Sequence, residues 1–349
     1  MDMQTDPVGK LELVADLEEK VTFSHNTTIP TGHAKTVRSL AWSPSGESFA
    51  TASFDSNIGI WSQEESGEDS DIGNAKEWEC MSLLEGHETE CKSVAYSHTG
   101  TFLASCSRDK TVWIWEVHPD SDFECMAVLM EHTQDVKCVA WHPIEEILAS
   151  ASYDDTIKLY VDDPSDDWYC ATTLSGHTST VWTLAWEPEQ GQYLASGSDD
   201  STIRLWRRLP GPGEPRFECA SVLDGHDGSV YTIAWAPAPE ESAQSNGTRH
   251  LGWLASSGAD GRILVRQIYV SIPCYVITPG LIPSFVNQET VPGEENAKVI
   301  VGHRLLAWFD GSHGVSEVNA ITWCPRPGGR NLLATAGDDG HVKVWRLSL

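Results

Sequence analysis

Apolar residues in this chain come in short runs closed off by turn-forming residues, and the runs recur. Val181-Trp182-Thr183-Leu184-Ala185-Trp186 stops at Glu187-Pro188, and Tyr193-Leu194-Ala195-Ser196 and Ile203-Arg204-Leu205-Trp206 follow it. Ala171-Thr172-Thr173-Leu174 stands just upstream. β-Branched and aromatic residues fill these runs, Gly, Pro, Asp and Ser bound them, and nothing between them has the period of a helix. The pattern predicts an all-β chain with four short strands per unit.

The units share a polar signature. A histidine opens each: His33, His87, His132, His177, His226 and His313. Downstream lie the turn aspartates Asp55, Asp109, Asp154, Asp200, Asp260 and Asp339, each preceded by four residues by a hydroxyl: Thr51, Ser105, Ser150, Ser196, Ser256 and Thr335. An aromatic follows the aspartate by six residues in five copies (Trp61, Trp115, Tyr160, Trp206 and Trp345), and Arg266 takes its place in the other. The copies occupy about 32–78, 79–123, 124–168, 169–217, 218–268 and 313–349. Residues 269–312, with the apolar stretch Ile272 to Val286, match no repeat and read as an irregular insertion. Residues 1–31 precede the first unit and are predicted to add a closing strand near Leu11 to Leu17, with the first blade incomplete. A four-stranded sheet cannot bury both faces alone, so the units must stack radially, as in a WD40 β-propeller.

Three of the four signature residue types also build catalytic triads. Six copies favour structure instead: an aspartate-oriented histidine, linked through a hydroxyl to an indole N–H, satisfies every polar group of a buried quartet. The expected protein is therefore not an enzyme. Its nine cysteines include no CxxC pair, which predicts no metal site and no cofactor. Cys80, Cys125, Cys170 and Cys219 each precede a unit histidine by seven residues, on repeats too far apart for a disulfide.

Charge narrows the partners. With 23 Lys and Arg against 51 Asp and Glu, the formal net charge is −28, which repels nucleic acid and anionic membranes. No apolar run reaches bilayer length and no signal-peptide pattern opens the chain, so a soluble intracellular protein is expected. The stretches 64–77, 162–167, 209–216 and 237–247 read as solvated loops. In a propeller of this kind the residue before each turn aspartate (Phe54, Arg108, Tyr153, Asp199, Ala259, Asp338) faces the top. Residues five past the histidines (Arg38, Lys92, Lys137, Trp182, Tyr231) line the inner rim. Arg38, Lys92, Arg108 and Lys137 thus cluster beside Tyr153, Trp182 and Tyr231 in an acidic protein. That chemistry suits an acidic peptide, especially a C-terminal tail, with its carboxylate on Arg108 and an apolar side chain against the aromatics.

Longer strings go beyond the generic repeat: Leu103-Ala104-Ser105-Cys106-Ser107-Arg108-Asp109-Lys110-Thr111-Val112-Trp113-Ile114-Trp115-Glu116, His132-Thr133-Gln134-Asp135-Val136-Lys137, Trp141-His142-Pro143, Ala149 through Tyr160, and Ser179-Thr180-Val181-Trp182. They resemble the cytosolic iron–sulfur protein assembly family of WD40 proteins, called CIAO in animals, densely over 32–206 and again over 315–345. The resemblance implies seven blades, where six units are legible, and a scaffold of the cytosolic iron–sulfur (CIA) targeting complex. Implied partners are a small partner subunit, a HEAT-repeat adaptor, an iron-only-hydrogenase-like cluster carrier, and apo-protein clients whose C-terminal tails carry an acidic residue and a terminal aromatic. Arg108 is the implied centre of client recognition, and the cytoplasm, with the nucleus, the implied location. The competing reading is another WD40 adaptor, a ubiquitin-ligase substrate receptor or histone-tail reader; no ligase-recruiting segment is visible to favour it.

Overall fold

The computed structural model describes residues 10–13, 28–63, 78–118, 122–163, 165, 167–238, 244–245, 248–271, 300–325 and 331–348. All regular structure in them is β. Strand β1 (Lys10–Leu13) comes first. The first blade follows with β2 (Val37–Trp42), β3 (Ser48–Ser53), β4 (Ile58–Gln63) and β5 (Trp78–Leu84). The second holds β6 (Cys91–Tyr96), β7 (Phe102–Ser107), β8 (Val112–Val117) and β9 (Phe123–Leu129). The third runs β10 (Val136–Trp141), β11 (Leu148–Ser152), β12 (Thr156–Asp162) and β13 (Trp168–Ser175). The fourth contains β14 (Val181–Trp186), β15 (Tyr193–Ser198), β16 (Ile203–Arg208) and β17 (Phe217–Leu223). In the fifth, β18 (Val230–Ala236), β20 (Thr248–Gly258), β21 (Ile263–Ser271) and β22 (Ile300–Phe309) form the sheet, and β19 (Gln244–Ser245) adds a short pair to β20. The sixth has β23 (Val318–Trp323), β24 (Leu332–Gly337) and β25 (Val342–Ser348), and β1 pairs antiparallel with β25, Leu11 opposite Leu347.

Each sheet is a meander whose middle strands carry the core. Ala50, Ala52, Ile58 and Ile60 in blade 1 and Ala149, Ala151, Ile157 and Leu159 in blade 3 are almost wholly buried between neighbouring sheets. Small residues on one middle strand and branched ones on the next let the sheets approach closely. The turn after each signature aspartate needs a left-handed residue, found at Ser56, Lys110, Asp155 and Ser201 (φ 64–78°) and supplied by glycine at Gly261 and Gly340.

Two boundaries differ from the sequence reading. The strand just before each histidine pairs with the three preceding it, so the sheets run 37–84, 91–129, 136–175 and 181–223 instead of breaking ahead of that strand, near 79, 124, 169 and 218. The first blade accordingly has all four of its strands, and the N-terminal strand serves the last. The segment 269–312 is not irregular throughout either: Ile300–Phe309 is the outer strand of the fifth blade, in register with β21. Residues 14–17, 64–77, 239–243 and 272–299, which include parts of the expected closing strand, two solvated loops and the Ile272 to Val286 stretch, lie outside the described residues.

Candidate functional site

The polar quartets form in every blade. In blade 2, His87 Nδ1 lies 2.9 Å from Asp109 Oδ2 and Nε2 lies 2.9 Å from Ser105 Oγ, which accepts from Trp115 Nε1 at 3.0 Å. Blade 4 repeats this with His177, Asp200, Ser196 and Trp206 at 2.7, 2.7 and 2.9 Å. His33, Asp55, Thr51 and Trp61 do so in blade 1, and His313, Asp339, Thr335 and Trp345 in blade 6. In blade 3 the Ser150 hydroxyl reaches the Tyr160 phenol oxygen at 3.5 Å, beside His132 and Asp154. In blade 5, His226, Asp260 and Ser256 keep their bonds, and the Arg266 guanidinium stands in for the indole, donating to Ser256 Oγ and the Asp224 carbonyl.

Each aspartate is over-satisfied. Burial pushes the Asp109 carboxyl up, but bonds from His87 and Thr111 outweigh it and hold the group well below the usual carboxylate range. Asp154 and Asp200 behave alike, and Asp339 is lowered to about 2. Burial lowers the pKa of His177 against the pull of Asp200. A buried group with all its partners filled acts as a fastener. Burial likewise lowers Arg266 to about 10.

The rim is built differently. In every blade the residue before the signature aspartate donates its N–H to the carbonyl just ahead of the inner strand. Examples are Phe54 to Thr36, Arg108 to Glu90, Tyr153 to Asp135 and Asp199 to Thr180, at 2.9–3.0 Å. That bond sets each turn residue beside the first side chains of its inner strand, so both sets share one face. Arg38, Phe54, Lys92, Lys137 and Trp182 together line a cavity of about 230 Å³ there. Lys92 Nζ sits 4.2 Å above the Phe54 ring. Lys137 Nζ lies between Tyr153 and Trp182, 5.3 and 4.8 Å from their centroids. Tyr231 meets Trp182 edge-on at 5.3 Å, and the Trp182 indole donates to Asp199.

These cations are only partly neutralised. Lys137 has Asp135 at 3.4 Å, whereas Arg38 has no carboxylate within 4 Å among the described residues. Burial lowers the Lys92 pKa, and the nearby charges of Lys137 and Arg108 add to it against Glu90 and Asp135. Arg108 lies outside the cavity lining, exposed, with its guanidinium 3.0 Å from Glu90 Oε1. Arg38, Lys92, Lys137 and Trp182 are thus brought together, with Tyr153 and Tyr231 adjoining and Arg108 further out. Phe54, expected on the top face as the residue before Asp55, joins the lining, and Glu90 and Asp135 are additions that the spacing of the basic residues did not reveal.

The described cysteines are all free thiols, and among the described residues no three His, Cys, Asp or Glu side chains converge as a metal site would require.

One quartet per sheet, in register around a stack of four-stranded blades, makes this a WD40-repeat propeller, and comparison with known families agrees. The WD domain, G-beta repeat matches residues 24–62, 78–116, 123–160, 168–207, 217–266 and 305–346. A Cryptococcus neoformans protein described as "Probable cytosolic iron-sulfur protein assembly protein 1" is 41% identical over 95% of this chain and 87% of its own length. Its counterpart of the same description in Malassezia globosa is 44% identical over 99% of this chain and 100% of its own length. Another, in Aspergillus oryzae, is 37% identical over 92% and 87%. The chain belongs to this family, that of cytosolic iron–sulfur protein assembly protein 1.

Proposed function

We propose that this chain is a non-catalytic scaffold for iron–sulfur protein assembly in the cytosol, and that its rim cavity holds the acidic C-terminal tails of apo-protein clients. The names of the relatives supply the process. The observation that carries the site is the convergence of Arg38, Lys92 and Lys137 on one cavity walled by Phe54 and Trp182 in a chain of net charge −28. An anion entering there relieves the mutual repulsion of the lysines, and an aromatic side chain gains the faces of Trp182 and Tyr153. Arg108, outside the cavity, meets the tail further from its terminus. In this reading the small partner subunit, the HEAT-repeat adaptor and the iron-only-hydrogenase-like cluster carrier dock elsewhere on the disc, and the clusters are cargo.

The test is fluorescence anisotropy with a labelled peptide ending in an acidic residue and a free-carboxylate tryptophan. The proposal expects saturable binding that weakens when the terminus is amidated and as salt shortens the Debye length below about 8 Å. Equal affinity for free and amidated peptides at every salt concentration overturns it.

A further inference from the structure

Each inner strand skips one residue in its pairing with the next strand, a β-bulge that turns that side chain out of the ladder. The skipped residues are Arg38, Lys92, Lys137, Trp182, Tyr231 and Asn319. Around the ring, three cations thus give way to three uncharged groups, and the change falls at Trp182. Its ring receives Lys137 Nζ of blade 3 at 4.8 Å and meets Tyr231 of blade 5 edge-on at 5.3 Å. Its indole N–H donates to Asp199 Oδ1 at 2.6 Å.

The field changes sign at the same place. Toward blade 3, burial lowers the Lys92 pKa, and the charges of Lys137 and Arg108 add to it. Toward blade 5, burial raises the Tyr231 pKa, and the carboxylates of Glu317, Asp199 and Asp338 push it the same way.

The turn that carries Asp199 has no need of its side chain. The Asp199 N–H donates to the Thr180 carbonyl at 2.9 Å, and Ala259, at the equivalent position of blade 5, makes the same bond to Ser229 at 3.0 Å. A carboxylate here also works against the fold. It adjoins Asp200 in the chain, and it acts with burial, Asp154 and Asp200 to raise the pKa of Asp155. What this side chain does is hold Trp182.

We infer that Asp199 sets the specificity of the rim site: it locks the Trp182 indole as the wall against which a tail's apolar side chain rests, and it bars anions from blades 4 and 5. An acidic tail then runs across blades 1 to 3. The inference rests on the acidic-tail reading above. An unheld indole can rotate and surrender its contacts with Lys137 and Tyr231 together, and a charge-assisted bond removes that freedom before the ligand arrives. Beyond the wall, a further acidic group meets Asp199 as a like charge, which disfavours that path. The cationic route out of the cavity leads past Lys92 to the exposed guanidinium of Arg108.

Asp199 is a positioning residue in this account, and substitutions separate its two effects. Peptides with the same acidic residue followed by a terminal tryptophan or a terminal alanine are titrated by anisotropy into the full chain. The wild type and Asp199→Asn, whose amide oxygen still accepts the indole N–H, should prefer tryptophan about tenfold, and Asp199→Ala about twofold. Arg108→Glu should weaken the tryptophan peptide about tenfold in the wild-type background, but about threefold alongside Asp199→Lys, which opens blade 4 to the tail. A side chain that served the fold alone would move neither ratio, and circular dichroism should show every variant folded. An undiminished tryptophan preference in Asp199→Ala, or an Arg108→Glu penalty unchanged by Asp199→Lys, would overturn the inference and leave the tail site standing. A wild type that binds neither peptide would remove the tail reading and this inference with it.

Discussion

The quartets and the rim use the same vocabulary of cations, carboxylates, hydroxyls and aromatics, on the same blades, a few residues apart. In the quartets every group has its partner: His87 is held from both ring nitrogens, and Asp109 also accepts the N–H groups of Glu88 and Thr111. On the rim the groups crowd without matching, with Lys92 and Lys137 facing each other's charge and Arg38 unpaired by any described carboxylate. Matched polar groups repeated around a ring hold the fold, whereas unmatched ones confined to a few blades leave free energy for a ligand to release.

The largest expected effect falls on the matched set. Asp109→Ala strips His87 of its orienting partner and two backbone N–H groups of their acceptor, and a urea melt should show a loss of about 3 kcal/mol. A melt superposable on the wild type would break the comparison at its firmer end. Next, the double reversal Lys92→Glu with Lys137→Glu should weaken acidic-tail binding about a hundredfold, roughly 2.7 kcal/mol, with stability changed by under about 0.5 kcal/mol. Arg108→Glu should weaken binding less than that pair, by about tenfold, because the guanidinium lies outside the cavity and is shared with Glu90.

Blade 5 sharpens the contrast from within the quartets. Arg266 is 3% exposed where other blades bury an indole or a phenol, and its charge must be desolvated. Arg266→Trp should therefore raise the unfolding free energy by about 1 kcal/mol, read from the same melts. The smallest effect is on pH dependence. The folded-state pKa values of His177 and His142 are depressed, chiefly by burial, so the unfolded chain takes up protons first as pH falls. Their contribution is complete above the unfolded histidine value near 6.5 and is lost as pH falls through the lower folded values, with Asp109 and Asp154 adding a second loss below about pH 4. Melts at pH 7.5 and 5.5 should show lower stability at the lower pH, and His177→Gln should shrink that difference.

Legibility in the sequence followed the same division. The quartets were readable to the residue because one spacing recurs six times, and a buried hydroxyl between a histidine and an indole has one arrangement that satisfies all three. Blade boundaries were not, because the outer strand is written immediately before the next unit's histidine: Trp168–Ser175 reads as the start of a repeat but hydrogen-bonds to Thr156–Asp162. The strand Ile300–Phe309 was hidden for a related reason, since 28 residues outside the described set separate it from β21. At the rim, matched spacing placed Arg38, Lys92 and Lys137 on one face. The Phe54 ring under Lys92 joins different blades, and no spacing within one repeat encodes such a contact.

The central claim is that rim charge serves binding and quartet charge serves folding. Its most direct test is calorimetric titration of the acidic tail peptide into the wild type and the Lys92→Glu/Lys137→Glu variant, with urea melts of both run alongside. The account predicts a hundredfold loss of affinity over superposed melts. Unaltered affinity, or affinity and stability falling together, would contradict it.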